Sequence, residues 1–162
     1  MWLEAADNKR ARTVVRYFDK SASHLGAPLR VRCDKGKENK LIMLKMHLLR
    51  DGTIHKPVLV GRSIHNTRIE RLWGEVHRVV GEKYKEIFLN MESGGLLHRD
   101  LRMDIWCLHR IFLPMIQKDL QKLQNVWNFH QCASSSYKSP HRMWIEGQVR
   151  CPLDTSPLLM SL

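Results

Sequence analysis

The stretch CDKGKEN, residues 33–39, sets one acid, Asp34, where a strand-like alternation runs into a glycine, Gly36. An aspartate in that position is either a turn former or a ligand for a hard cation. A second acid, Glu70, follows after 35 intervening residues, one turn into the predicted helix that GRSIHNTRIERLW opens. Two carboxylates on separate elements can converge on a divalent metal, because such cations take oxygen ligands in fixed geometry. Asn66, Glu70, Trp73, Gly74 and His77 share a face of that helix, flanked by Arg68 and Arg71. Acid, amide and cation together are what a phosphodiester site requires. The chain has 16 acids, however, and so many such pairs that spacing alone assigns nothing.

The elements that must hold these residues alternate at first and then turn helical. WLEAA, residues 2–6, reads as a strand, and Asp7-Asn8 supplies an N-cap signal. Residues 9–26 carry Val14, Val15, Phe18 and Leu25 at helical spacing, with Gly26 and Pro28 as the stop. PLRVRCD, residues 28–34, is the next strand. Residues 38–50 are so densely apolar that a helix with one core face is expected. Asp51-Gly52 forms a turn, and HKPVLVG, residues 55–61, is a weak strand or extended run.

A long helix is predicted over residues 66–91. Its stripe is Ile69, Leu72, Trp73, Val76, Val79, Val80, Ile87 and Phe88, and Ser93-Gly94-Gly95 ends it. A second long helix is predicted over residues 98–128, kinked or divided at Pro114. Residues 127–147 read mostly as loop, with Ser139-Pro140 starting a short helix. Trp73, Trp106 and Trp127 fall on apolar stripes, which places them in the core rather than against bases.

Composition narrows the partners. Against 16 Asp and Glu stand 27 Lys and Arg, a formal net charge of +11 in 162 residues. That excess suits a polyanion, since each phosphate neutralised by a cation releases counterions. The cations are spread along the chain, so they belong to a face of a fold and not to a tail. Cys33, Cys107, Cys132 and Cys151 lie far apart with no C-x-x-C pair, which reads as reduced, mostly buried thiols. The N-terminus lacks an apolar signal core, and no stretch approaches the ~18–20 apolar residues of a membrane span. A nuclear or cytoplasmic location is expected.

CDKGKEN resembles the S-D-N-G-x-E-F motif of the retroviral-integrase-like catalytic core, with Lys35 and Lys37 in place of the usual asparagine and small residue. GRSIHNTRIERLW resembles that family's S-x-x-x-N-G-x-x-E-R segment, and the 35-residue gap matches its spacing. WNFHQCASSSYKSPHRMW is similar to the later Y-N-x-x-R-x-H…S-P-x-x-x-W element. The nearest likeness is to integrase-core proteins derived from mobile elements.

The resemblance implies an α/β fold of the ribonuclease-H-like class, a mixed sheet with helices on both sides and long C-terminal helices. Residues 1–147 would form the core-like domain, and residues 148–162 a poorly ordered tail. It implies two Mg²⁺ or Mn²⁺ ions held by three carboxylates, with Asp34 matching the second acid and Glu70 the third. Lys35, Lys37, Asn66, Arg68 and Arg71 would face the nucleic acid, DNA foremost, and family members usually act as multimers.

The family's first acid lies upstream of the point that WLEAA matches. The expectation is therefore an N-terminally truncated core, its first two strands missing. Glu4 is in the wrong register to replace that acid, Asp7 reads as a cap, and Glu38 reads as a solvated loop residue. Three readings follow: an integrase core with little or no strand-transfer activity, a non-catalytic DNA- or RNA-binding module, or a protein-interaction scaffold. An open sheet edge at residues 2–6 would also leave backbone and apolar surface exposed.

Overall fold

The structure is a computed structural model, and it describes residues 3–50, 56–61 and 67–150. The chain divides into two compact units. One is continuous through residues 8–66 and takes in residues 143–162; the other joins residues 1–7 to residues 67–142.

In the unit built on residues 8–66, α1 (Ala11–Leu25) begins three residues after Asn8 of the expected Asp7-Asn8 cap, with Arg10 at its N-cap. The Asn8 side chain accepts hydrogen bonds from the Arg10 N–H at 2.9 Å and the Thr13 hydroxyl at 2.8 Å. Gly26 ends the helix at φ 81, a left-handed backbone that glycine adopts without a Cβ penalty. β1 (Val31–Cys33) leads through a 3₁₀ turn (Lys37–Asn39) into α2 (Lys40–Leu49). β2 (Val58–Val60) pairs with β1 in parallel, Val31 opposite Val58 and Cys33 opposite Val60. A parallel pair needs a crossover, and α2 supplies it.

The core of this unit is Phe18 and Ala22 of α1 against Ile42 and Met46 of α2, with Val14, Val15, Val31 and Val58 around them. Met46 is completely buried. Lys45 of α2 also reaches Asp19 of α1 at 2.6 Å.

The other unit is helical. α3 (Thr67–Val76), a π-helical turn (His77–Gly81) and α4 (Glu82–Ser93) follow without a break, so the long predicted helix exists, with a π turn within it. α5 (Arg102–Phe129) is 28 residues long and runs on past Pro114, which therefore does not divide it. The last helix, α6 (Pro140–Arg150), has its first three residues in this unit and the rest in the unit built on residues 8–66. It starts at Pro140, whose missing N–H removes one of the unpaired donors of a helix start. The Ser139 hydroxyl accepts from the Arg142 N–H at 3.2 Å. The helix is longer than expected and reaches three residues beyond Gly147.

Leu72, Val80 and Tyr84 meet Leu120 and Leu123 in the core of this unit, together with Leu3. Tyr84, Phe88 and Phe112 add tilted and edge-on ring contacts at centroid distances of 5.0–6.2 Å.

Three expectations are corrected. The first strand is not a strand. Its backbone is bound by two glutamines of α5: Gln124 accepts from the Leu3 N–H at 3.0 Å, and Gln117 accepts from the Ala5 N–H at 2.7 Å. The Gln117 amide also donates to the Leu3 carbonyl at 3.1 Å. Side-chain amides here do the work of a neighbouring strand, so the edge at residues 3–5 is covered and Leu3 is buried.

Second, the expected mixed sheet is, among the described residues, the single β1–β2 pair. Third, Trp73 and Trp106 are exposed at 56% and 61%, while Trp127 packs on the core. The stripes are wider than the surface their partners cover. No helix of the described residues is long and apolar enough to cross a membrane.

Candidate functional site

β1 delivers Asp34 to the protein surface at its C-terminal end, where the chain must turn to enter α2. Asp34 Oδ1 accepts from the Gly36 N–H at 3.0 Å and from the Asn39 side-chain amide at 2.8 Å. This is an aspartate turn, in which a side-chain carboxylate replaces a backbone acceptor. The Asn39 N–H closes the same loop on the Gly36 carbonyl at 3.2 Å. Of the two roles open to Asp34 in the sequence, turn former is the one its contacts display.

Gly36 itself sits at φ −59 and ψ 141, which any residue adopts. The loop therefore does not turn there by virtue of glycine's freedom. What Gly36 provides is room: a Cβ would lie 2.6 Å from the Glu38 carboxylate, which folds over it. Asp34 and Glu38 thus share one loop. Arg30, Arg32, Lys35, Lys37 and Lys40 are exposed on the same stretch, so cations outnumber the two acids along it. Burial pushes the Cys33 thiol up, and the adjacent Asp34 charge adds to that.

Glu70 lies in the first turn of α3, where the helix dipole favours an acid. It is exposed, as are Arg71, Trp73, Gly74 and His77, while Leu72 and Val80 turn into the core. The face expected from helical spacing is therefore solvent-facing and mixed in character. Arg68 lies in the first turn of α3, and Asn66 is outside the described residues.

The π turn was not foreseen. It begins at His77, and a Cβ on Gly81 would come within 3.0 Å of His77 Nδ1. The legible signal was the glycine four residues after the histidine, which leaves the ring space to lie along the helix. Turns of this kind recur at functional positions.

Asp34 belongs to one compact unit and Glu70 to the other. Among the described residues, no three His, Cys, Asp or Glu side chains gather to hold a metal ion. Within the Asp34 loop the available oxygen donors are Asp34 and Glu38, and Asp34 Oδ1 is already used by the turn. Two carboxylates in this loop do not by themselves make up a divalent-cation site.

The cysteines also depart from expectation. Cys33 and Cys132 are half-buried and Cys107 is exposed, all three as free thiols.

Set against known proteins, residues 1–156 match the family model described as integrase core domain. No curated protein and no solved structure matches the chain. The family match takes in nearly the whole sequence, both the Asp34 loop and the Glu70 helix included, and the chain belongs to the integrase core domain family.

Proposed function

We propose that this integrase-like protein of mobile-element type binds nucleic acid, DNA foremost, and has little or no strand-transfer activity of its own. The observation that carries the binding is the run of exposed cations Arg30, Arg32, Lys35, Lys37 and Lys40 about the end of β1, in a chain of net charge +11. Exposed Arg71 contributes in the same way from α3, with Arg68 beside it in sequence. Cations of this kind bind phosphates without reading sequence, so affinity falls with salt.

The activity proposal rests on Asp34. Its family relatives use the corresponding acid with divalent metal, and a ribonuclease-H-like arrangement is what the family implies. Here that carboxylate is drawn into a turn by Gly36 and Asn39. Asp34 and Glu70 remain the acids that any residual metal-dependent cleavage would use.

The test is binding of a labelled DNA duplex across a salt series, with nicking assayed in Mg²⁺ and in Mn²⁺. The expected result is steep loss of affinity with salt, and a slope smaller by about 2 in the Lys35→Gln/Lys37→Gln variant. A flat salt response would support an interaction scaffold whose charge serves solubility. Metal-dependent nicking abolished by Asp34→Ala or Glu70→Ala would overturn the inactive reading.

A further inference from the structure

We propose that Cys132 is a base-assisted reactive thiol and a site of covalent modification by small-molecule disulfides. The proposal rests on its pairing with His130 in the segment between α5 and α6, away from both candidate acids in sequence. Cys132 Sγ lies 3.3 Å from His130 Nε2. His130 Nδ1 lies 2.5 Å from the Trp127 carbonyl oxygen. A carbonyl only accepts, so the proton of the neutral ring is on Nδ1, and Nε2 offers its lone pair to the thiol. The Trp127 ring sits 4.5 Å from the imidazole, centroid to centroid, and limits its swing.

The thiol is held as firmly as its base. The Cys132 N–H donates to the Lys138 carbonyl at 3.2 Å, and the Cys132 carbonyl accepts from the Ser135 and Tyr137 N–H groups, each at 3.0 Å. Ser136 and Tyr137 both take left-handed backbone, φ 52 and 59, to close this loop. Cys132 as a residue is half-buried, not enclosed. The other described thiols differ. Cys33 is pushed away from ionisation by burial and by Asp34, and Cys107 is exposed on α5. A thiolate is the reactive form of cysteine, and an adjacent imidazole is a means of generating one.

The chemistry is thiol–disulfide exchange. His130 Nε2 takes the Cys132 proton, and the thiolate attacks one sulfur of the small disulfide. The new sulfur–sulfur bond forms as the old one breaks. The departing thiolate takes the proton from His130, so the products are a mixed disulfide at Cys132 and one free small thiol. No other oxidant is consumed.

The experiment exposes the full chain briefly to glutathione disulfide and measures the occupancy of each cysteine by mass spectrometry. Cys132 is expected to react about tenfold faster than Cys107. His130→Gln should bring its rate down to that of Cys107, with circular dichroism confirming the retained fold. A Cys132 rate at or below that of Cys107 in the unmodified chain would overturn the proposal, and this comparison needs no folded variant. An unchanged Cys132 rate in folded His130→Gln would overturn it equally.

Discussion

Asn39 donates its side-chain amide to Asp34 Oδ1 at 2.8 Å, closing the six residues, 34–39, that carry β1 into α2. The residue proposed as the family's second acid is thus also the one that shapes the loop bearing it. The two roles make different demands. A turn needs an acceptor oxygen, which asparagine also has; a divalent site needs the carboxylate charge. Asp34→Asn should therefore keep the wild-type urea midpoint, while Asp34→Ala loses about 1 kcal/mol through two lost hydrogen bonds. Equal losses in the two variants would show that charge, and not the turn, is what the position supplies.

The Asp119 carboxylate receives Lys83 at 2.7 Å, Lys122 at 3.1 Å and the Tyr84 hydroxyl at 2.9 Å. Lys83 first, then Lys122 and Tyr84, hold it well below the usual carboxylate range. A depressed folded-state pKa stabilises the fold above the unfolded value of about 4 and withdraws that stability as pH falls further. Asp119→Asn should cost about 1 kcal/mol at neutral pH, a modest figure because both lysines are exposed. The gap between variant and wild type should narrow steadily below pH ~4, as followed by urea titrations across pH. A gap that widens in acid would contradict the assignment.

Gln117 both accepts from Ala5 and donates to Leu3, and Gln124 takes the remaining Leu3 N–H. The Gln117→Ala/Gln124→Ala pair should lower stability by about 2–3 kcal/mol, since partly buried backbone groups lose their partners. Amide hydrogen exchange at Leu3 and Ala5 should accelerate together, whereas exchange in α2 should not change. Protection at Leu3 and Ala5 that survives the double variant would point to a different partner for that backbone.

Met46 is fully buried in one unit, and Leu72 is 3% exposed in the other. Met46→Ala and Leu72→Ala should each cost about 2–5 kcal/mol. Hydrogen exchange should show Met46→Ala loosening α1 and α2 first, and Leu72→Ala loosening α3 to α5 first. Uniform loosening throughout the chain in both variants would mean that the units do not unfold separately.

Much of this was legible, and the helices most of all. Ile42 and Met46 announced α2, and Leu120 and Leu123 announced α5, because each pair repeats at helical spacing and is buried. Gly94 and Gly26 marked helix ends through backbone chemistry that acts locally. What failed depended on distant partners. WLEAA is apolar enough for a strand, but nothing in five residues says that glutamines more than a hundred positions away will bind them. Trp73 and Trp106 have the right spacing for a core, and exposure is decided by what packs against the stripe.

The candidate site was legible in its parts. Asp34 and Glu70 stand at the end of a strand and in the first turn of a helix, as their local sequences indicate. The competition for Asp34 from Asn39 could have been suspected, because an amide five residues on is within reach of a turn-forming acid. The Cys132–His130 contact depends on Trp127 fixing the ring, and spacing does not reveal a tautomer.

The bond between Leu3 and Gln124 spans 121 positions in sequence, and every residue of β1, α2 and β2 lies inside that span. A chain leaving the ribosome N-terminus first can complete the contacts of α1 with α2 while α5 is still unsynthesised. Leu3 must wait until the last turns of α5 have emerged. Closing so long a span is entropically costly and slow compared with local helix pairing. During that interval residues 3–5 lack the glutamine partners on α5 that later bind their backbone.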